Sequence, residues 1–280
     1  MCISLIKWID RQIRYILESV YKNDKANHLK DALDSIFSQS YGDFKLLLFV
    51  DGPISDMLWN VINSYTDERF EVINSLQNHG LAFALNQMLM QCKDADYIAR
   101  MDADDISVHD RFEKQVAFLE AHPKVDVVGG AINEIDENGN DRGKVTRYPC
   151  EPDACRAFFA KRNPVAHPTV MFRRSFFEKA GWAYPTDFER NEDTRLWHEG
   201  YKHGCVIANL PDVLLNFRMT DSMFKQRRNG HTFAESQLQL RKMIAKDLGY
   251  GAMAYVYAYA MYLLMISPSW ILKFAYKILR

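Results

Sequence analysis

Apolar residues along this chain alternate between helical spacing and continuous blocks. Leu29, Leu33, Ile36 and Phe37 share one side of a predicted helix with Asn27 as its cap, and the next block, FKLLLFVDG at 44–52, reads as a buried strand closed by Asp51, Gly52 and Pro53. The alternation then repeats. A helix is predicted around residues 57–65, a short strand over RFEVINS at 69–75, a helix over 81–92, and a strand from Tyr97 that runs into a cluster of aspartates. An earlier strand, YILESVY at 15–21, precedes them. Strands hydrophobic on both faces, each followed by a helix, imply an α/β domain with a mostly parallel sheet covered by helices. Ligands then gather where strands end, and Tyr21, Asp51 and the aspartate cluster all lie at such ends.

Farther along, Phe112, Val116 and Leu119 face inward from a helix that stops near Pro123, followed by the strand KVDVVGGAI at 124–132 and a hairpin tip at Asn138-Gly139. Between 147 and 183, Pro149, Pro152, Pro164 and Pro168 cut the chain into short pieces, a substrate-shaping region grafted onto the sheet. No linker or internal repeat divides the chain.

The two ends stand apart. Ile3, Ile6, Ile9, Ile13 and Ile16 among Lys7, Asp10, Arg11 and Arg14 follow helical spacing rather than the apolar core of a signal peptide, so secretion is not expected. At the other end no charged residue occurs from Leu248 to Leu272, and Lys273, Lys277 and Arg280 follow. Gly249, Gly251, Pro268 and the tyrosines at 250, 255, 257, 259 and 262 dilute that segment, which favours a helix pair lying on a membrane surface over a spanning helix. The alternative is a helix packed on the domain core.

With 280 residues, 48% of them hydrophobic, and a formal charge of −1, the chain can bury a sizeable core but carries no overall field for nucleic acid. Five cysteines, none in a CxxC pair, fit reduced thiols in a cytosolic protein.

Chemistry concentrates in YIARMDADDIS at 97–107, where Asp102, Asp104 and Asp105 crowd together. Hard divalent cations such as Mg²⁺ and Mn²⁺ take oxygen ligands, and in extended chain Asp102 and Asp104 would face one ligand with Ala103 behind them. A calcium loop of the EF-hand type fails, because Ile106 and Ser107 stand where an oxygen ligand and a glycine are required. An aspartyl-phosphate phosphatase lacks its hydroxyl or branched residue after the second aspartate. A solvated acidic turn, with Asp105 or Ser107 capping the next helix, stays open as the plain alternative.

Five stretches together extend the picture: SVYKND (19–24), LKDALDSIFSQSYGDFKLLLFVDGP (29–53), NHGLAFALNQML (78–89), YIARMDADDISVHDRFEKQ (97–115) and NEDTRLW (191–197). In order and spacing they resemble family 2 glycosyltransferases of the GT-A fold, inverting enzymes of bacterial polysaccharide and O-antigen assembly. The resemblance implies one GT-A domain over 1–247, with an extension at 1–15, a nucleotide-sugar half at 16–120 and an acceptor half at 121–220. Membrane-associating helices at 248–280 would follow. It implies that Asp51 holds the nucleotide base, that Tyr21 lines the ribose pocket, and that Asp102 and Asp104 bind ribose, diphosphate and a Mn²⁺ or Mg²⁺ ion. Arg100 would support the nucleotide end or pair with the acidic cluster. Asp193, beside Glu192, matches the general base. Arg227 and Arg228, in a basic loop, would clamp the diphosphate or form an ordinary solvated basic patch.

The reaction so implied moves a sugar from a nucleotide diphosphate, a uridine diphosphate sugar by preference, to a saccharide on a polyprenyl diphosphate at the inner membrane surface. The enzyme would be cytoplasmic and peripheral to that membrane. The nucleophile then belongs to the acceptor, so His167 is assigned to the acceptor wall or to structure rather than to catalysis. A non-catalytic sugar-binding subunit and a metal-dependent phosphohydrolase are the competing functions. Two departures from the family pattern stand out: Glu18 interrupts the first strand, and Asp51 is a single aspartate where many relatives carry two.

Overall fold

The computed structural model describes residues 13–188, 190–219 and 230–267. The predicted alternation is present: β1 (Ile13–Val20), α1 (Ala26–Phe37), β2 (Lys45–Asp51), α2 (Asp56–Ile62), β3 (Phe70–Ser75), α3 (Leu81–Leu89) and β4 (Tyr97–Arg100). The short β5 (Ile106–Ser107), α4 (Arg111–Ala121), β6 (Val127–Ile135), β7 (Asp141–Thr146) and α5 (Pro152–Phe159) come next. The last described elements are β8 (Met171–Arg173), α6 (Arg174–Ala180), α7 (Glu192–Lys202), β9 (Ile207–Arg218), α8 (Gly230–Asp247) and α9 (Ala252–Ile266).

One nine-stranded sheet runs in the order β3-β2-β1-β4-β8-β6-β9-β5, with β7 paired to β6. Its first four strands are parallel, and β8 joins β4 and β6 antiparallel. After β1 the chain moves outward to β2 and β3, then returns to place β4 on the other side of β1. The order of strands therefore reverses between β1 and β4, and a crevice opens beyond their carboxyl ends.

Strand alternation sorts the core into two layers. Ile16, Val20, Leu46, Leu48 and Val50 pack with Leu29 and Leu33 of α1, Leu58 of α2 and Phe112 of α4. Leu17, Leu47, Phe49 and Ile98 pack on the opposite face with Leu85 and Met88 of α3, Phe176 of α6 and Trp197 of α7. This two-sided burial is why those strands read as continuous apolar blocks.

Three local expectations are corrected. Ile13 and Ile16 belong to β1, because pairing with β2 and β4 on both sides outweighs their helical spacing, while Ile3, Ile6 and Ile9 lie outside the described residues. The N-cap of α1 is Lys25, so Asn27 sits inside the first turn. The N-cap of α4 is Asp110, with no side-chain cap bond, so neither Asp105 nor Ser107 caps that helix.

The hairpin at Asn138-Gly139 is present: Gly139 takes φ +86°, and Asp136 Oδ1 accepts from the backbone N–H groups of Asn138 and Asn140. Glu18 lies fully buried on β1, opposite Leu48 of β2, and neither of its carboxyl oxygens has a partner among the described residues. Burial, with Asp102 adding to it, pushes its pKa well above the ordinary carboxylate value.

Candidate active site

The acidic cluster is made by a turn, not by extended chain. Strand β4 stops at Arg100, and Asp105 N–H donates to the carbonyl of Asp102 at 3.3 Å. That turn brings carboxylate oxygens of Asp102, Asp104 and Asp105 within 4.8 Å of one another. Asp102 and Asp104 do converge as the spacing predicts, but the backbone reaches that result by folding back, and Asp105 joins them.

Charge makes the cluster costly. Burial and the neighbouring Asp102 raise the Asp104 pKa to about 6, although Arg100, a backbone N–H and Arg218 oppose the rise. Burial, then Asp104 and Asp102, push Asp105 well above its usual range. Asp24, in the turn after β1, is raised to about 7 by burial and by Asp104 and Asp102, against the Tyr21 N–H that donates to its Oδ2 at 2.8 Å. Arg100 forms an ion pair with Asp102, and its Nε and Nη1 stay buried without a partner among the described residues.

Arg218, at the end of β9, braces the turn from below. Its Nε donates to the carbonyl of Asp104 at 2.7 Å, its backbone N–H donates to Asp105 Oδ1 at 2.8 Å, and Nη2 reaches Asp31 at 2.9 Å. One buried arginine thus holds the acidic turn against α1 and β9. The pocket still carries more carboxylates than cations, and oxygen-only ligands at this spacing suit a hard divalent ion.

Asp51 has a different setting. Its Oδ1 accepts from the backbone N–H of His79, and its Oδ2 accepts from the Gly80 N–H and from Asn78 Nδ2, at 2.8 to 2.9 Å. Gly52, at φ +87°, allows that loop to close: a Cβ there would lie 2.7 Å from the Asn78 nitrogen. Asp51 therefore anchors the start of α3. It stands one strand from Tyr21, since β1 Val20 pairs in register with β2 Val50.

The second group of carboxylates opens α7. Asp193 Oδ2 accepts from Asn163 Nδ2 at 2.8 Å, while Oδ1 accepts from the Thr194 N–H and hydroxyl. Burial raises its pKa, and the Thr194 bonds and the charges of Arg241 and Arg100 hold the rise down. Glu192 is raised by burial and by Asp193. Arg100 acts electrostatically on Asp102 and on Glu192 and Asp193, and Asp102 acts on Glu192, so the two carboxylate groups lie within electrostatic reach of each other.

His167 lies behind them, its Nε2 3.1 Å from the Tyr184 hydroxyl and its ring edge-on to Trp197. Burial, then the charge of Arg100, lowers its pKa well below the usual value, which leaves a neutral ring in a packed wall. Arg227 and Arg228 lie outside the described residues.

Sequence reasoning missed Asp24, Arg218, Asn163 and Arg241. Asp24 was visible within SVYKND, two residues after Lys22. Arg241 approaches Asp193 from α8 through Asn163: its Nη1 donates to the Phe159 carbonyl at 3.1 Å, and its Nη2 contacts Asn163 Oδ1 at 3.5 Å.

Comparison with known proteins places this geometry. Residues 19–181 match the model of Glycosyl transferase family 2. The amylovoran biosynthesis glycosyltransferase AmsE of Erwinia amylovora is 36% identical, over 84% of this chain and 87% of that protein. The UDP-Gal:alpha-D-GlcNAc-diphosphoundecaprenol beta-1,3-galactosyltransferase of Escherichia coli is 29% identical over 80% of each. Among solved structures, the mannosyltransferase PcManGT of Pyrobaculum calidifontis, in complex with GDP-Man and Mn²⁺, shares the fold with a TM-score of 0.59 at 18% identity. That match covers 90% of this chain and 74% of that one.

Proposed function

The chain belongs to glycosyltransferase family 2, and from that premise we propose that it is a metal-dependent, inverting transferase carrying a sugar from a UDP-sugar to a lipid-linked saccharide in bacterial surface-polysaccharide synthesis. What supports the reading is a pair of unlike carboxylate groups within electrostatic reach of one another and of Arg100. One is an acidic turn in want of positive charge; the other is a hydrogen-bonded aspartate whose pKa lies above the ordinary value.

The roles follow from the settings. Asp102 and Asp104 would hold a Mn²⁺ or Mg²⁺ ion, and Asp105 with Arg218 fixes the turn that presents them. Such an ion, when bound, supplies the positive charge that stabilises a departing diphosphate. Asp193 accepts the proton of the acceptor hydroxyl as its oxygen bonds to the anomeric carbon and the bond from that carbon to the diphosphate oxygen breaks on the opposite face. One displacement inverts the anomeric centre. Asn163 and Thr194 aim the Asp193 carboxylate, and Arg100 steadies charge between the two groups. Tyr21 and Asp51 shape the nucleotide end, with Asp51 acting through the 78–80 loop that it organises.

The uridine donor and the lipid-linked acceptor are supported by the galactosyltransferase whose name includes both, and the membrane surface by the uncharged carboxyl-terminal segment. A screen of UDP- and GDP-sugars with and without Mn²⁺ tests the proposal, using a saccharide diphosphate lipid as acceptor. Transfer should require both cation and acceptor and should vanish in Asp193→Asn. Unchanged turnover in that variant removes the base, and phosphate release without acceptor would instead identify a hydrolase.

A further inference from the structure

We infer that the outer face of α9 is a docking surface for an anionic lipid bilayer, with the helix lying in the plane of the headgroups and holding the catalytic base at the membrane. The inference deepens the acceptor reading above and rests on it for its biological purpose, while its physical basis is the helix itself.

Helix α9 contains no charged residue, and only its Ala254 and Ala258 are buried. Met253, Val256, Tyr259 and Leu263 project from the other side at helical spacing, exposed by 70%, 57%, 47% and 61%. Four large side chains in one continuous stripe form a patch that single exposed apolar residues do not. The helix is too short to span: fifteen residues rise about 22 Å against a hydrocarbon core of about 30 Å, and α9 stops at Ile266 with Pro268 two positions on. No helix among the described residues is long and apolar enough to cross a membrane.

Charge identifies the occupant. Lys242 and Lys246 of α8 are exposed beside the stripe, and the Lys242 ammonium sits 5.7 Å from the Tyr259 ring. The Tyr250 hydroxyl, in the turn between α8 and α9, donates to the Arg156 carbonyl, which brings exposed Arg156 near the same edge. In sequence the uncharged segment continues into Lys273, Lys277 and Arg280. An apolar stripe with tyrosines and a basic border matches a lipid surface bearing anionic headgroups better than it matches a second copy of itself, whose border would repel.

The same helices reach the base. Helix α8 touches the start of α7 through Gln237, whose Nε2 donates to Asn191 Oδ1 at 2.5 Å. Its Arg241 contacts the Asn163 that holds Asp193. Docking of α9 therefore fixes the height of Asp193 above the lipid, where the sugar of a diphosphate lipid would stand.

The test is flotation of the full chain with phosphatidylcholine vesicles, with and without phosphatidylglycerol, alongside sedimentation velocity. The parent should float with phosphatidylglycerol vesicles and release in high salt. Val256→Asp with Leu263→Asp should lower the bound fraction at least about tenfold, and Lys242→Glu with Lys246→Glu should lower it only where the anionic lipid is present. All of these changes are at exposed positions, and each variant should keep the parent's Mn²⁺-promoted binding of donor nucleotide. A parent that stays unbound, or an aspartate pair that floats like the parent, overturns the inference. So does a lipid-free dimer that the aspartate pair splits, because the stripe would then belong to a second copy. Intact donor binding in any of these cases leaves the transferase reading standing, and its loss in a chain that floats would sink that reading alone.

Discussion

The turn at 102–105 and the first turn of α7 both present neighbouring acids, yet they solve opposite problems. Around Asp104 and Asp105 the carboxylates crowd one another, and their pKa values climb because burial and like charge outweigh Arg100 and the bonds from Arg218 and the backbone. Around Asp193 the same cost of burial is met by three hydrogen-bond donors from Asn163 and Thr194, and the carboxylate is aimed. On the proposed function, the turn left short of positive charge would receive the cation, and Asp193, its oxygens positioned and its pKa raised above the ordinary value, would take the proton.

Substitutions should separate the two regions. Asp193→Asn keeps the shape and removes the base, so transfer should fall by about a thousandfold or more, with donor affinity unchanged in titration. Asp104→Ala should weaken cation-promoted donor binding on the order of a hundredfold and leave nucleotide binding without cation much as it was. If both variants lose donor binding equally, the two groups are one site and the comparison breaks.

Asn163→Ala sharpens it. Loss of the donor to Asp193 Oδ2 destabilises the ionised form, so kcat should fall about tenfold with KM little changed. If Asp193 is the base it must be unprotonated to act, so the acidic limb of the parent's kcat profile should lie above that of an ordinary aspartate. In Asn163→Ala that limb should move to still higher pH.

The smallest effect concerns Glu18, a third kind of buried acid with no partner. Its folded pKa lies above the unfolded value, so its contribution to stability is full below about pH 4 and is lost as pH rises toward the folded pKa. Glu18→Met should therefore raise stability at pH 7 by on the order of 2 kcal/mol, with the gain shrinking toward pH 4 in denaturant melts as the ionisation penalty disappears. No gain at pH 7 would mean that Glu18 has a partner in solution.

The parts of this architecture that sequence revealed are local. Both-face burial writes itself as apolar blocks, as in LLLFV of β2, and the Asp-x-Asp needs only adjacent residues. Asp102 and Asp104 were paired by the wrong backbone, because β4 ends where its partner β8 has already run out: their register stops at Ala99 opposite Met171. Arg218 left no trace in the pattern, since its contact with Asp104 joins residues 114 positions apart. Asn163, in the loop after α5, bonds Asp193 across 30 positions, and Arg241 on α8 contacts Asn163 across 78. Local periodicity carries no record of such meetings.

Calorimetric titration of UDP-sugars into the protein, with and without Mn²⁺, tests the central claim most directly. The acidic turn predicts donor uptake that depends on the cation and disappears in Asp104→Ala. Equal donor affinity in the presence and absence of any divalent ion, in the parent protein, would contradict it.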